Sequence, residues 1–271
     1  MIEKIKNITR PYRNAYRILK HQGIDILKYI YCYVPKHPEL FEQLRQFKDI
    51  HKGERCFIVA TGPSLTIEDV NKLKGEICWT CNSGIKLFSQ TDWRPQYYAI
   101  ADGTVFTRIK DQIDSVEMPI SFYNHKDIEW SGENLYPLPM WVSLVLDEAT
   151  RAVIPRSWRK KRMSLDISKK VFMGGNITNV IIQICFYMGF KEIYLLGCDC
   201  NYTPSNSHSS IANYKNGDIL YEAADYVAQS MIDDHKCAKA VADKLGVKIF
   251  NATRGGMLEV YPRVNLDDVI K

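Results

Sequence analysis

The pattern that most constrains this chain begins at Arg55. CFIVA (56–60), ICWTC (77–81), YYAIA (97–101), PISFY (119–123), EIYLLG (192–197) and VKIFNA (247–252) are short apolar runs rich in β-branched and aromatic residues. Such runs suit strands buried on both faces. Helical periodicity fills several intervals, at 66–74, 176–189 and 222–245. Strands alternating with helices predict a mainly parallel sheet covered on both sides, an open, doubly wound α/β fold. Ligands of such sheets bind beyond the carboxyl ends of the strands, where the strand order reverses. The residues just after each strand are therefore the ones to read for chemistry.

After the first run comes Thr61-Gly62-Pro63-Ser64. Glycine permits a sharp turn or close approach to a ligand, and Ser64 is a good N-cap for the following helix, whose N-terminus would suit a phosphate. The loop is neither a Walker loop nor Gly-x-Gly-x-x-Gly, which disfavours the usual NTPase and dinucleotide readings. Asn82-Ser83-Gly84 follows the second run and Asp102-Gly103-Thr104 the third, while Cys198-Asp199-Cys200-Asn201-Tyr202 follows Gly197. One polar end is an ordinary turn. Four, carrying Thr61, Asn82, Asp102 and Asp199, are better explained by a polar ligand across the sheet edge. Asparagine recognises a base or ribose as donor and acceptor, whereas aspartate accepts from sugar hydroxyls or holds a metal. Gly174-Gly175-Asn176-Ile177-Thr178 opens a helix and offers backbone N–H groups to an anion.

Charge divides the chain. Residues 1–55 contain twelve Lys/Arg against six Asp/Glu, so the formal surplus of +5 originates there. A nucleic-acid binder would not distribute charge this way. Residues 12–33 place Tyr12, Tyr16, Leu19, Ile26, Leu27 and Ile30 mostly at helical spacing, among Arg13, Arg17, Lys20 and Lys28. Such a helix either packs on the domain behind it or lies on an anionic membrane surface. A shorter helix is expected at 39–50. The dense run Arg156–Arg162, with Trp158, is a solvated loop or a contact to anionic lipid or a diphosphate-linked acceptor. The division expected is a basic helical extension (1–53) and a nucleotide-sugar-binding domain (54–271).

The apolar content of 46% and eight scattered cysteines suit a core-forming protein with reduced thiols. No transmembrane run or secretory signal is visible, so a cytoplasmic protein is expected, with peripheral attachment to the inner face of the plasma membrane as an extension of the charge argument. Cys78-x-x-Cys81 with Cys198-x-Cys200 suggests a zinc site or a dithiol only weakly, because residues three apart in a strand point to opposite faces. No metal site is expected.

GPSL after a first strand, Cys-Asn after the second, a glycine-led helix and GFKEIYLLGCD (189–199) resemble the bacterial sialyltransferases of glycosyltransferase family 42. The tail KIFNATRGGMLEVYPRV (248–264) is similar to the related MptE-like family, which includes archaeal 6-hydroxymethyl-dihydropterin diphosphokinases and proteins of surface-polysaccharide clusters. The resemblance spans about residues 54–270. It implies a Rossmann-like domain that binds an activated nucleotide at the strand ends, with CMP-sialic acid as donor and metal-independent catalysis in the sialyltransferases. It implies that Thr61, Gly62 and Ser64 hold nucleotide phosphate and ribose, and that Asn82 contacts the nucleotide. Asp102 stands where those enzymes carry asparagine. Asp199 matches the aspartate of their Gly-x-Asp motif, and Asn201 stands at a tyrosine that supports the leaving phosphate, with Tyr202 beside it. Asn251, Thr253, Arg254 and Gly255 become neighbours of the site.

The family's base histidine falls on Gln229, and glutamine cannot take a proton from an acceptor hydroxyl. His208, in the polar loop TPSNSHSS, is the replacement expected, with Asp199 and Asp102 competing. His235, His21, His37, His51 and His125 read as structural or solvated. The site expected comprises His208, Asp199, Tyr202 and Arg254 for catalysis, Arg254 stabilising the departing phosphate. Thr61, Gly62, Ser64, Asn82, Asp102, Gly175, Asn176, Thr178, Gly197 and Asn201 would bind the nucleotide.

The function expected is transfer of a sugar, sialic-acid-like and CMP-activated, to a glycan or lipid-linked acceptor in surface-polysaccharide synthesis. No cofactor is expected beside the nucleotide sugar. The alternatives are a diphosphokinase of the 6-hydroxymethyl-dihydropterin type, with ATP and with magnesium on Asp102 and Asp199, and a catalytically silent nucleotide-binding protein.

Overall fold

The computed structural model describes residues 38–142, 162–201 and 224–270. The expected helix at 12–33, Trp158 with most of its basic run, and Tyr202 and His208 lie outside the described residues.

Nine strands are described: β1 (Arg55–Val59), β2 (Cys78–Cys81), β3 (Tyr97–Ile100), β4 (Ile120–Asn124), β5 (Leu135–Leu138), β6 (Met140–Val142), β7 (Val171–Met173), β8 (Glu192–Leu196) and β9 (Lys248–Asn251). Seven of them form one parallel sheet in the order β5-β4-β3-β2-β1-β8-β9, and β6 pairs with β7 in a separate parallel pair. From β1 the chain builds outward to β5, then resumes on the opposite side with β8. The reversal therefore falls between β1 and β8, where a doubly wound sheet opens its crevice. The fold is the Rossmann-like α/β class expected.

Period-two alternation sorts the strand side chains into two apolar layers. Cys56, Ile58, Trp79, Cys81 and Phe122 face one layer, covered by α4 (Ile177–Met188) and α5 (Ala224–Leu245). Phe57, Val59, Cys78, Tyr98 and Ile100 face the other. That side is covered by α1 (Ile67–Lys72), α2 (Gly103–Arg108), α3 (Lys110–Asp114) and Leu266 of α6 (Leu266–Val269). Cys78 and Cys81 thus lie on opposite faces of the sheet, and among the described residues no three His, Cys, Asp or Glu side chains group as a metal site.

Residues before the boundary expected at residue 54 also enter the first layer. Pro38–Phe47 forms a 3₁₀-helical segment whose Phe41, Leu44 and Phe47 are buried in the first layer. Spacing of three suits three residues per turn. Phe47 meets Phe122 and Tyr136 edge-on at centroid distances of 5.0 and 4.6 Å, and His51 stacks on Phe190 at 4.6 Å. Residues 38–53 thus contribute packing contacts to the sheet and to Phe190.

α4 is buried along almost its whole length, as its sequence ITNVIIQICFYM requires. The polar residue at its centre, Gln183, is satisfied on both ends of its amide. Its Oε1 accepts from Ser164 N (2.9 Å) and Phe172 N (3.0 Å), and its Nε2 donates to Phe172 O (2.8 Å) and Asn179 O (3.1 Å). A satisfied buried amide fixes a unique arrangement. Here it ties β7 to α4 and so sets the Gly174-Gly175 turn between them.

Candidate functional site

A cavity of about 320 Å³ lies beyond the carboxyl ends of the strands flanking the reversal, a size suited to a small ligand. Thr61, Gly62, Asn82, Asp102, Gly175, Asn176, Thr178, Gly197, Asp199 and Asn201 all line it. Ser64 stands behind this wall and Arg254 is not on it. Strand ends far apart in sequence are brought together here by the topology alone.

The β1–β8 crevice is close-packed. Ala60 N donates to Leu196 O and Gly62 N to Gly197 O, each at 2.9 Å, so the pairing continues past the strands. A methyl group on Gly62 would overlap both the Asp199 carboxylate and the Gly197 carbonyl. Gly197 adopts φ +64, a conformation costly for any residue with Cβ. Next to it, Asp199 is 7% exposed and accepts from Ser64 Oγ at 2.9 Å. Its backbone carbonyl accepts from Met257 N at 2.7 Å, which brings the last loop over the site. Burial pushes the Asp199 carboxyl above its ordinary value, against the opposing Ser64 bonds and the charge of Arg263.

Two local expectations are corrected. Ser64 is not the helix cap; Thr66 is, in a reciprocal capping box with Asp69. At the start of α4, the Gly175 N–H donates to the buried carboxylate of Asp234, and Asn176 caps the helix by accepting from Asn179 N at 2.8 Å. The protein thus places its own carboxylate on the N–H that was expected to hold a ligand anion.

What remains unmatched on the wall is amide chemistry. Asn82 Oδ1, Asn176 Nδ2 and Asn201 Oδ1 are buried without a hydrogen-bond partner among the described residues. Leaving a buried polar atom unsatisfied costs about 1–3 kcal/mol. Asn82 is held at φ +47, with its carbonyl accepting from Tyr98 Oη at 2.9 Å. Cys200, between Asp199 and Asn201, is also left-handed at φ +48. Strained backbone of this kind concentrates at functional sites. Asp102 caps α2 by accepting from Thr104 N (2.8 Å) and Val105 N (3.2 Å).

α5 contributes residues that sequence reasoning passed over. Met231 and His235, one turn apart, line the cavity, while Asp234 turns toward Gly174 and Gly175. His235 is 1% exposed, and burial lowers its imidazole to about 4. Gln229 is exposed and donates to Asp233 Oδ1 at 3.0 Å. The i, i+4 spacing of Met231 and His235 puts them on one stripe of the helix but does not say which stripe faces the cavity.

Arg254, expected beside a phosphate, is engaged elsewhere. Its guanidinium grips Asp69 at 2.7 and 2.5 Å and reaches Ser64 O at 3.1 Å. It joins the last loop to the α1 N-terminus. Burial raises the Asp69 carboxyl, but the bonds from Arg254 and Thr66 outweigh it and hold the group below its ordinary value. Asn251 and Thr253 likewise close that loop: Asn251 Nδ2 donates to Leu258 O at 2.7 Å, and Thr253 Oγ1 accepts from Cys198 N at 3.0 Å. Arg254→Ala is expected to destabilise the fold by about 1–3 kcal/mol in urea denaturation at neutral pH. The lowered Asp69 value means this contribution is lost as pH falls through it. Nucleotide affinity should stay within threefold; weakened binding at an unchanged midpoint would return Arg254 to the ligand.

Comparison with known proteins places residues 31–205 on the family model described as 6-hydroxymethylpterin diphosphokinase MptE-like. No curated protein matches the chain. Among solved structures, that of the MAf glycosyltransferase from Magnetospirillum magneticum AMB-1 aligns with a TM-score of 0.47 and 14% identity. The alignment covers 85% of this chain and 38% of that one, so this chain spans well under half of that protein's length.

Proposed function

The chain belongs to the MptE-like family, and from that premise we propose that it is a transferase acting on a nucleotide-activated donor, moving a sugar to an acceptor hydroxyl. The observation that supports this reading is the set of unpartnered amide atoms of Asn82, Asn176 and Asn201 on one cavity wall with Asp102 and Asp199. An amide oxygen asks for a donor and an amide nitrogen for an acceptor, and carboxylates accept from hydroxyls. Nucleosides and sugars offer both. Among the described residues of the wall none is Lys or Arg, and Asp199 and Asp102 stand on it. Such a wall suits the hydroxyl and amide groups of a nucleoside and a sugar, and a CMP-linked, sialic-acid-like donor, with one phosphate to seat and not two, is the type proposed. A glycan or lipid-linked acceptor, and a cytoplasmic seat at an anionic membrane surface, extend the same reading through the basic surplus of residues 1–55. No helix among the described residues is long and apolar enough to cross a membrane.

The family description favours a second reading, transfer of a diphosphate to a pterin-like alcohol. Asp102 and Asp199 are hard oxygen donors on one wall, the chemistry magnesium takes. Bound there, magnesium would neutralise the charge of a triphosphate. The chain's own part would still be to hold the nucleotide and orient the alcohol.

Thermal shift of the full chain with CMP, CDP, UDP, GDP and ATP, each with and without magnesium, separates the two. A ligand that binds only the folded state stabilises it, by about 2.7 kcal/mol at a hundred times Kd. Metal-independent stabilisation by CMP is expected. A response to ATP alone, and only with magnesium, would replace sugar transfer by the second reading. Binding without detectable transfer or donor hydrolysis would favour a catalytically silent nucleotide-binding protein.

A further inference from the structure

Resting on the transfer reading above, we propose that His235 is the catalytic base that takes the proton of the acceptor hydroxyl. Its ring lies on the cavity wall one turn beyond Met231. Nδ1 is 3.1 Å from the Tyr261 hydroxyl, and that hydroxyl donates to the carbonyl of His235 itself at 3.1 Å. The two rings meet edge-to-face, with centroids 5.5 Å apart and planes at 89°. A phenol has one proton. With that proton on the carbonyl, the contact to Nδ1 requires the ring nitrogen to donate. The neutral imidazole is then the Nδ1–H tautomer, and Nε2 carries the lone pair. The nitrogen held by the protein is thus the protonated one, and the other ring nitrogen of this cavity-lining residue, Nε2, is the one able to accept a proton.

The groups around it suit that task. Tyr261 accepts from Nδ1–H and continues to do so when the ring is charged. Asp234, the preceding residue, and Asp199, on the same cavity, are carboxylates, and a phosphate-bearing donor adds further negative charge. The phosphate of a bound donor would favour the imidazolium that the step forms, against the burial that disfavours it in the free protein. Gln229, where the resemblance puts a base, points away and bonds Asp233.

Nε2 takes the acceptor O–H proton while that oxygen's electron pair forms a bond to the transferred carbon. The bond from this carbon to the donor's phosphate oxygen breaks, and its electron pair leaves with the nucleotide. The imidazolium then returns its proton to solvent.

The test uses the full chain, CMP as binding probe and CMP-sialic acid with a lactoside as turnover probe. His235→Gln is expected to bind CMP within threefold of the unaltered protein and to lose transfer by about 10²–10⁴-fold. Added imidazole should restore part of the turnover of His235→Ala, which a purely structural side chain would not allow. Tyr261→Phe, which frees the tautomer, should lose about tenfold. His235→Gln with transfer within threefold overturns the assignment and leaves sugar transfer standing. Loss of CMP affinity in parallel with turnover overturns it as well, making His235 a part of the wall. An unaltered protein that neither binds CMP nor transfers overturns the transfer reading and the base together. Where the variants do not fold, ¹⁵N NMR of the unaltered protein decides: a protonated Nδ1 supports the assignment, and a protonated Nε2 in a neutral ring overturns it.

Discussion

Gly62→Ala is expected to abolish CMP binding, by more than about 100-fold, and to lower the unfolding midpoint. The added methyl would overlap two groups, and they do not yield equally. The Asp199 carboxylate can rotate away from it. The Gly197 carbonyl cannot, because it accepts Gly62's own N–H at 2.9 Å and belongs to a residue held at φ +64. Space for the methyl therefore has to come from separating β1 and β8 at the crevice in which the ligand is proposed to sit. Overpacking of this kind costs about 1–3 kcal/mol, or roughly 2–4 °C for each kcal/mol in a domain of this size. Gly255→Ala is the control. Its φ of +66 carries a backbone penalty that Gly62, whose φ is not left-handed, does not, but no described residue lies within 4 Å of the added atom, so a loss of CMP affinity confined to Gly62→Ala reports the overlap and not the backbone. Fluorimetric melts and CMP titration of both variants check the argument. CMP affinity within threefold of the unaltered protein in Gly62→Ala would mean that the crevice is not where the nucleotide binds.

Much of this architecture could be read in advance because a strand buried on both faces has to be apolar throughout. The six runs expected are β1, β2, β3, β4, β8 and β9. β5 escaped because Pro137 sits inside it, which is tolerated only because β5 is an edge strand pairing with β4 alone. β6 and β7 are three residues long, too short for any periodicity. The polar wall was legible for a geometric reason: Thr61, Asn82, Asp102 and Asp199 directly follow parallel strands whose ends the topology must bring to one edge. Other features depend on information no local pattern contains. Asp69, the partner of Arg254, is 185 residues away in sequence. Which stripe of α5 faces the cavity depends on how that helix lies across α4, so His235 and Gln229 could not be ranked from spacing. The Thr66 cap, by contrast, was readable, since Thr66 and Asp69 form the Thr-x-x-Asp signature of a helix start.

Asp199→Asn is expected to combine higher stability with lost function. The carboxyl is raised above its ordinary value by burial, so folding disfavours its charged form. The sign follows from linkage: the penalty is present at pH above the folded value and fades as pH falls through it. Asparagine is neutral and nearly isosteric, and it retains an oxygen to accept from Ser64 Oγ and N. At pH 7 the variant should therefore gain on the order of 1 kcal/mol, the scale of a relieved functional strain, or about 2–4 °C. The gain should shrink as the melts are taken toward pH 4. Turnover should fall by about 10²–10³-fold, because a neutral amide no longer offers a charged acceptor to the donor's hydroxyls. A variant less stable than the unaltered protein at pH 7 would make Asp199 a structural anchor of Ser64. A stable variant with full turnover would remove its charge from the chemistry. Stability and activity moving in opposite directions is the signature of a carboxylate kept buried for the reaction and not for the fold.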